Sequence, residues 1–452
     1  DSTSSITNSF VYRKSNGDDD TDIDFFNFDS SRNPTIKRNR FTNELEDDEN
    51  IQYSVNYEKK FNDDGHLLKV DYQFSTGKEL ENSIINEVVL GENINLPTEQ
   101  TINDESQKNQ LLQFDYVLPF GKDNKSQFEF GYRGTFNKFN TDFNFGILEN
   151  GILDSDPNFS NELNYKEYVN ALYTQLGSKF GKFNVLGGLR METSDIGIEL
   201  VNTNDVTNKN YTNWFPSIFL GYEFSETEQF NISYSKRLRR PRSYFINPFP
   251  SRSSNTNLFQ GNPNLDPTFS WNFDLLGEYY FQNVGVINAG VFYKSITNPI
   301  FNDTYQGTYN GIQGVEFSTP INGADAWIGG VELGINRRFD FLPGFLQYFG
   351  ANLNATFMDS EMIKPSGRKV TTPYQAKSLF NAQLFFEKGG FNTRLAFNHK
   401  GKYAIAFGER DIDDVYYGKY NTLDFSASYQ IGNKWTIYTD VNNILNNPLI
   451  YH

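Results

Sequence analysis

Apolar and polar residues alternate along this chain with a period of two, and the alternation outlasts an ordinary strand. In Ile51-Gln52-Tyr53-Ser54-Val55-Asn56-Tyr57-Glu58 every odd position is apolar and every even one polar. Leu68, Val70, Tyr72 and Phe74 repeat this against Lys69, Asp71, Gln73 and Ser75, and Phe128, Phe130, Tyr132 and Phe136 against Gln127, Glu129, Arg133 and Thr135. Phe230-Ile232-Tyr234, Trp271-Phe273-Leu275, Phe380-Ala382-Leu384-Phe386 and Leu423-Phe425-Ala427-Tyr429 follow the same rule. A period of two puts one set on one face of a strand and the other set on the opposite face. Strands of a soluble sandwich average about 5–6 residues. These runs extend over about 9–15, the length of a tilted strand crossing a bilayer.

The connections alternate too. Asn62–Gly65, Gly121–Asn124, Gly181-Lys182, Ser225–Glu228, Gln282-Asn283, Lys388–Gly390 and Gly432-Asn433 are short polar or glycine-rich clusters suited to hairpins. Between them lie long polar stretches at 79–104, 141–163, 241–269, 298–326 and 403–417. Tight turns on one side and long loops on the other are the pattern of an up-and-down transmembrane barrel, whereas such loops inside a compact soluble domain would count against it. Counting runs gives about 19 strands. Many end beside a turn with an aromatic ring, at Phe61, Phe120, Phe180, Phe224, Phe281, Phe339, Phe386 and Trp435, as rings at headgroup level do. The sequence thus predicts an all-β fold, a large antiparallel transmembrane β-barrel over residues 1–452. Its interior would be polar and too wide for side chains to fill, holding water or a folded plug.

Composition narrows the function. With 40 Lys+Arg against 56 Asp+Glu the net charge is −16, which argues against nucleic acid as a partner, since that binding rests on clustered cations. An aromatic share of 16% excludes a disordered chain. Cysteine is absent, which removes disulfides and thiolate chemistry. Histidine occurs at His66, His399 and His452, and none stands in sequence beside the serine and acid a hydrolase needs. No catalytic residue is assigned, and an enzyme is not expected. Acidic groups at Asp18-Asp19-Asp20 with Asp22 and Asp24, at Glu46–Glu49, and at Asp411, Asp413 and Asp414 read as outer loops. They are solvated charge sharing divalent ions with lipopolysaccharide, or a Ca²⁺ site, although the spacing is not that of an EF-hand. No other cofactor is expected.

One basic run interrupts this acidic chain: Lys236, Arg237, Arg239, Arg240 and Arg242. Phe230, Ile232 and Tyr234 share one parity, so Arg237 and Arg239 fall on the other, facing the lumen. On the lipid face near mid-membrane each charge would cost about 2–4 kcal/mol. In the lumen they pair either with neighbouring strands or with a plug or an anionic ligand.

At these residues the chain resembles the C-terminal barrel of TonB-dependent outer-membrane receptors, in the subfamily described as outer-membrane β-barrel proteins. The resemblance is carried by Tyr234-Ser-Lys-Arg-Leu-Arg-Arg-Pro241, Tyr244-Phe-Ile-Asn-Pro-Phe249 and Gly261-Asn-Pro-Asn-Leu-Asp-Pro267. There Arg240, Pro241, Asn247, Pro248, Phe249, Gly261, Asn262, Pro263, Leu265 and Pro267 match the family's strand end and the element that opens the next strand. Gly188–Glu192, Trp214–Ser217 and Asp440–Asn446 are similar to other strand signatures of the family. The resemblance implies an integral outer-membrane barrel of about 22 strands when whole. It implies that two strands at the front, one at the back, the plug and an N-terminal domain lie outside this chain, and that the motif residues are structural. The implied function is import of a nutrient too large or too scarce for porins. The implied partners are outer-membrane lipid and lipopolysaccharide, a plug domain, TonB if transport is energised, and a surface lipoprotein or other outer-membrane complex subunits. The alternative is a non-transporting barrel that serves as scaffold subunit of an outer-membrane protein assembly or secretion complex.

Overall fold

The computed structural model describes residues 3–29, 31, 33–91, 94–248, 250–254, 257–281, 285–309, 312–408 and 410–451. The expected turn at Gln282-Asn283, the motif residue Phe249 and His452 lie outside the described residues. The chain forms β1 (Ser4–Phe28), β2 (Pro34–Lys60), β3 (Leu67–Leu90), β4 (Glu99–Phe120), β5 (Ser126–Glu149), β6 (Asn161–Phe180), β7 (Phe183–Leu200) and β8 (Asp205–Glu223). It continues with β9 (Glu228–Arg239), β10 (Thr268–Tyr280), β11 (Gly285–Thr297), β12 (Asp325–Arg338) and β13 (Phe349–Ile363). The last four are β14 (Ser378–Lys388), β15 (Phe391–Lys400), β16 (Tyr420–Ile431) and β17 (Trp435–Val441). Among the described residues the main sheet has twenty strands, three of them only two to four residues long. Pairing is antiparallel between sequence neighbours, as in β1–β2, β2–β3, β9–β10 and β14–β15.

The chain divides into two compact units. Unit 1 comprises Asp1–Leu176, Leu189–Trp214 and Asn247–Ser251; unit 2 comprises Gly177–Gly188, Phe215–Ile246 and Arg252–His452. In each, the period-two expectation holds. In unit 1 Phe10, Tyr53 and Phe74 stand in register across β1, β2 and β3. In unit 2 Tyr234, Phe273 and Tyr293 do so across β9, β10 and β11. Of these rings Phe10, Tyr53, Phe273 and Tyr293 are exposed and Phe74 and Tyr234 half-buried, and on the same faces Leu176 reaches 53% and Val291 50%, because the face they line has lipid and not a second sheet to pack against.

The tight turns fall where expected. Between β14 and β15, Gly389 and Gly390 both adopt positive φ (58° and 82°), the backbone a two-residue hairpin of matching twist needs. Within each unit aromatics collect beside the tight turns. In unit 1 Phe61 stacks 4.4 Å from His66, whose Nε2 lies 2.8 Å from the Tyr116 hydroxyl. In unit 2 Phe183, Tyr222 and Phe224 make consecutive ring contacts of 4.7 Å, and Phe349 meets Phe386 at 4.9 Å.

At the opposite end the structure corrects two expectations. Much of 79–104 and 141–163, read as loop, is strand: β3 continues to Leu90, β4 begins at Glu99 and β5 continues to Glu149. The groups Asp18–Asp24 and Glu46–Glu49 likewise sit in β1 and β2, paired rung by rung, and not in outer loops. Past the apolar runs both faces meet water, so the period fades. The backbone nevertheless still needs hydrogen-bond partners, and the neighbouring strand supplies them. In unit 2 the stretch 298–326 is also structured. Ile300–Tyr309 and Ile312–Asn322 pair antiparallel, and Asn257–Gln260 runs parallel beside the second. Near them Phe301, Ala326, Met362, Ala404 and Phe407 form a small buried cluster.

Candidate functional site

Arg237 and Arg239 occupy the last rungs of β9, opposite Ser270 and Thr268 of β10. On the other face of β9, Tyr234 meets Phe273 at 5.0 Å. Lys236, the next residue on that face, has its Nζ 5.1 Å from the Phe269 ring and 5.5 Å from that of Trp271. The two arginines therefore share the polar face. Both are exposed, and among the described residues neither makes an ion pair or side-chain hydrogen bond. Two forked guanidinium groups two residues apart suit bidentate binding of carboxylate or phosphate.

The motif that follows is tied together by hydrogen bonds. In unit 2 the Asn262 N–H donates to the Phe245 carbonyl (2.6 Å), and its side chain accepts from the Asn264 N–H (3.0 Å) and donates to the Pro320 carbonyl (3.3 Å). Asn322 clamps the Asp266 backbone from both sides, accepting its N–H at 2.8 Å and donating to its carbonyl at 3.0 Å. Leu265 is buried, as are Gly261 and Pro267. Pro267 immediately precedes β10, a strand entry where a missing N–H costs no ladder bond. Pro263 is half-buried, as are Arg240, Pro241, Asn247 and Pro248.

Sequence reasoning missed a charged cluster in unit 2 because its members come from distant connections. Lys364 is 4% exposed. Its Nζ lies 2.6 Å from Asp303 Oδ1 and donates to the Gly408 carbonyl at 2.7 Å. Arg368 bonds Asp414 (3.0 Å) and pairs with Asp411 (2.7 Å). Asp411 and Asp414 are thus arginine partners where a cation site was the alternative expectation; the side chain of Asp413 lies outside the described residues.

In unit 1 the polar face carries acids in adjacent rungs. Asp48 stands opposite Glu79, Glu79 opposite Glu105, and Glu46 opposite Glu81. They lie outward of Ile51, Phe74 and Leu112, where the unbroken apolar alternation of β2, β3 and β4 ends, and so outside the membrane-spanning part of these strands. Glu79 is pushed up to about 7, first by burial and then by a hydrogen bond to Glu81 and the charges of Glu105, Glu81 and Asp48. The hydrogen bond to Asp48 raises Glu46, and burial raises Glu105. Among the described residues Glu46, Asp48 and Glu79 bring carboxylate oxygens within 4.8 Å of one another, a geometry that can share protons or hold a divalent cation. The other acidic run is already engaged. Asn43 donates to Asp18 (3.0 Å) and Asp20 (2.9 Å), Asn39 to Asp22 (2.5 Å) and Asp24 (3.1 Å), and Lys37 pairs with Asp24 at 3.0 Å.

His399 is better connected than its sequence neighbours suggested. Nε2 lies 3.2 Å from Ser378 Oγ and Nδ1 2.6 Å from Asn421 Oδ1. These partners come from β14 and β16 and orient the ring. Acyl transfer would also need convergent N–H donors beside Oγ. Ser378 instead opens a strand that is laddered to β13 and, from Leu379, to β15.

Among the described residues no helix is long and apolar enough to cross a membrane, which says nothing of crossing by strands. A profile of the outer membrane protein beta-barrel family matches residues 59–448. No curated protein matches the sequence. Among solved structures, the chain is similar to the unliganded ferric citrate transporter FecA, with a TM-score of 0.65 at 11% identity over 98% of this chain and 69% of that one. It is similar to the copper transporter OprC, at 0.61 and 11% over 99% and 75%. It is also similar to the ferric yersiniabactin uptake receptor FyuA from Yersinia pestis, at 0.54 and 13% over 99% and 75%. At these identities the likeness establishes the fold: a large antiparallel outer-membrane β-barrel.

Proposed function

Because this chain belongs to the outer membrane protein beta-barrel family, we propose that it is the barrel of a TonB-dependent importer, admitting an anionic nutrient too large or too scarce for simple pores. Integral to the outer membrane, it turns its apolar face to lipid and its polar face to the lumen. The observation that supports import is the Arg237 and Arg239 pair. Two cationic forks with no internal partner among the described residues stand on the lumen face, at the long-connection end of β9, in a chain of net charge −16. Such forks receive a carboxylate or phosphate of a passing ligand or of a plug domain. That transporters of ferric citrate and of copper share this fold favours import over the scaffold role, without bearing on the charge of the cargo. An enzymatic role has no comparable support. In this reading the tight turns face the periplasm, so a cysteine placed at Asp64 reacts with a membrane-impermeant label only after the outer membrane is opened.

The test is a deletion strain grown on a panel of chelated metals, cobalamins, oligosaccharides and peptides. Growth should fail on one class and return with the full-length gene, in a TonB-dependent manner. Arg237→Gln/Arg239→Gln at normal surface level should not restore it. Full growth on every class, together with stable co-purification of assembly or secretion subunits, would replace import by the scaffold role.

A further inference from the structure

The lipid-facing side of unit 1 carries a charge pattern that import through the lumen does not use. Lys108 of β4 shares a face with Leu112, Phe114 and Tyr116, and Lys138 of β5 with Phe130, Tyr132 and Phe136. Lys166 of β6 shares that face with Tyr168, Leu172 and Leu176. Lys108 stands directly opposite Lys138. On the membrane side of Lys138 and Lys166, Phe136 and Tyr168 meet ring to ring at 5.7 Å. On the far side Asn140 donates to Asn164 at 2.9 Å. Lys138 and Lys166 therefore occupy the rung between, and the three lysines form one row across three strands. Gly197 of β7 leaves the row open, since a Cβ there would come within 2.4 Å of Lys166 Cε. The result is a groove of about 600 Å³ lined by the three lysines with Asn140, Asn164 and Asn208.

Like charges directly opposite one another destabilise a ladder. Elsewhere on this face the problem is avoided: Lys14 pairs with Asp47 at 3.3 Å, and Lys78 stands opposite Glu49. Within the row, Lys166 has Asp195 at 3.9 Å. Glu199 lines the groove but is held by Asn164 at 3.4 Å. Among the described residues Lys108 and Lys138 have no ion-pair partner. The row lies one rung beyond the Phe136–Tyr168 pair, an aromatic position that marks the headgroup level. Lysine stems extend naturally from there toward charged headgroups.

We propose that this row is a binding site for the phosphate-bearing headgroup of a lipid in the membrane leaflet at the long-connection end. The phosphates would neutralise Lys108 and Lys138, with Lys166 beside them at the end of the row, while the acyl chains lie over Phe130, Tyr132 and Leu172. A free anion could use the lysines but not the apolar rows beneath them, so the occupant is a lipid. The site is on the face opposite the lumen and stands whether or not the barrel imports anything.

The test reconstitutes the full chain in phosphatidylcholine vesicles, alone, with diphosphorylated lipid A, with dephosphorylated lipid A, or with inorganic phosphate. Diphosphorylated lipid A should raise the thermal unfolding midpoint, and the other two additions should not. Lys108→Gln/Lys138→Gln/Lys166→Gln should be at least as stable as the parent in plain phosphatidylcholine, because the like charges are gone, and should lose the shift. The triple arginine variant should keep it. An equal shift in the glutamine variant, or an equal shift of the parent with dephosphorylated lipid A or inorganic phosphate, would overturn the assignment. So would loss of stability in plain phosphatidylcholine in the glutamine variant alone.

Discussion

The two units build what lies beyond the membrane in different ways. In unit 1 the strands simply continue: β1 and β2 pair without interruption from Ser4↔Lys59 to Asn27↔Ile36, and the acids and lysines ride on regular ladders half in water. In unit 2 the strands of the main sheet stop sooner, at 7–15 residues for β9–β17. Their connections fold onto themselves around Phe301, Met362 and Phe407, with Lys364 buried among carbonyls and Asp303. A continued ladder satisfies its own backbone, so its side chains are free to gather like charge. A folded connection has carbonyls left over and recruits a buried cation to satisfy them. The first arrangement responds to the medium; the second resists it.

The sharpest test of that contrast removes a cation from each unit. Lys364→Met should cost about 3–5 kcal/mol, because Asp303 and the Phe407 and Gly408 carbonyls lose a desolvated partner. Lys14→Met, which removes the exposed pair with Asp47 at 3.3 Å, should cost at most about 1 kcal/mol. Hydrogen exchange at Met362 and Phe407 against β2 and β3 reads the difference. Comparable losses would erase the distinction between the units.

Next in size are substitutions where the units should agree. Arginine in place of Tyr132 in unit 1, or of Phe273 or Phe425 in unit 2, should cost about 2–4 kcal/mol near mid-bilayer, measured by folding into lipid vesicles. Glu129→Ala on the polar face should be mild. Asn272→Ala should cost about 1 kcal/mol, since its buried amide donates to the Ser235 carbonyl at 3.2 Å. Equal effects on the two faces would mean that parity does not report lipid contact.

A smaller and selective effect is expected from pH. Glu79 is raised from 4.5 to about 7 in the folded chain, so the native state holds its proton more tightly than the unfolded one. The stability this gives is complete below about pH 4.5 and lost as pH rises to about 7. The outer ends of β2–β4 should therefore lose protection, measured against the intrinsic exchange rate, above neutrality, and Glu79→Gln should abolish the change. The Arg368–Asp414 connection in unit 2 should keep the same protection factors across that window; if it loosened in parallel, the medium-sensitive and resistant halves would not be distinct.

The smallest effect is expected at the proposed ligand contact. Arg237→Gln/Arg239→Gln should move stability by no more than about 0.5 kcal/mol, as exposed substitutions do, and any larger loss in denaturant unfolding would point to a structural partner.

The sequence by itself determined the strands, their two faces and the tight turns, because a strand's alternation and a hairpin's glycines are local. Phe273 faces lipid and Asn272 the lumen by parity alone, and Gly389-Gly390 marks its turn without reference to anything distant. Parity also placed Arg237 and Arg239. The strand ends beyond Ile51 and Phe74 were hidden, since with water on both faces the alternation that reports a strand disappears while its backbone pairing does not. Which charges become neighbours was decided only by tertiary structure. The acids of β2, β3 and β4 meet through inter-strand register, and Lys138 reaches the rung of Lys166 the same way. Ser378 comes to His399 from 21 positions away, and Lys364 to Gly408 from 44. Register between strands is a property of the pair, so no window of one strand's sequence contains it.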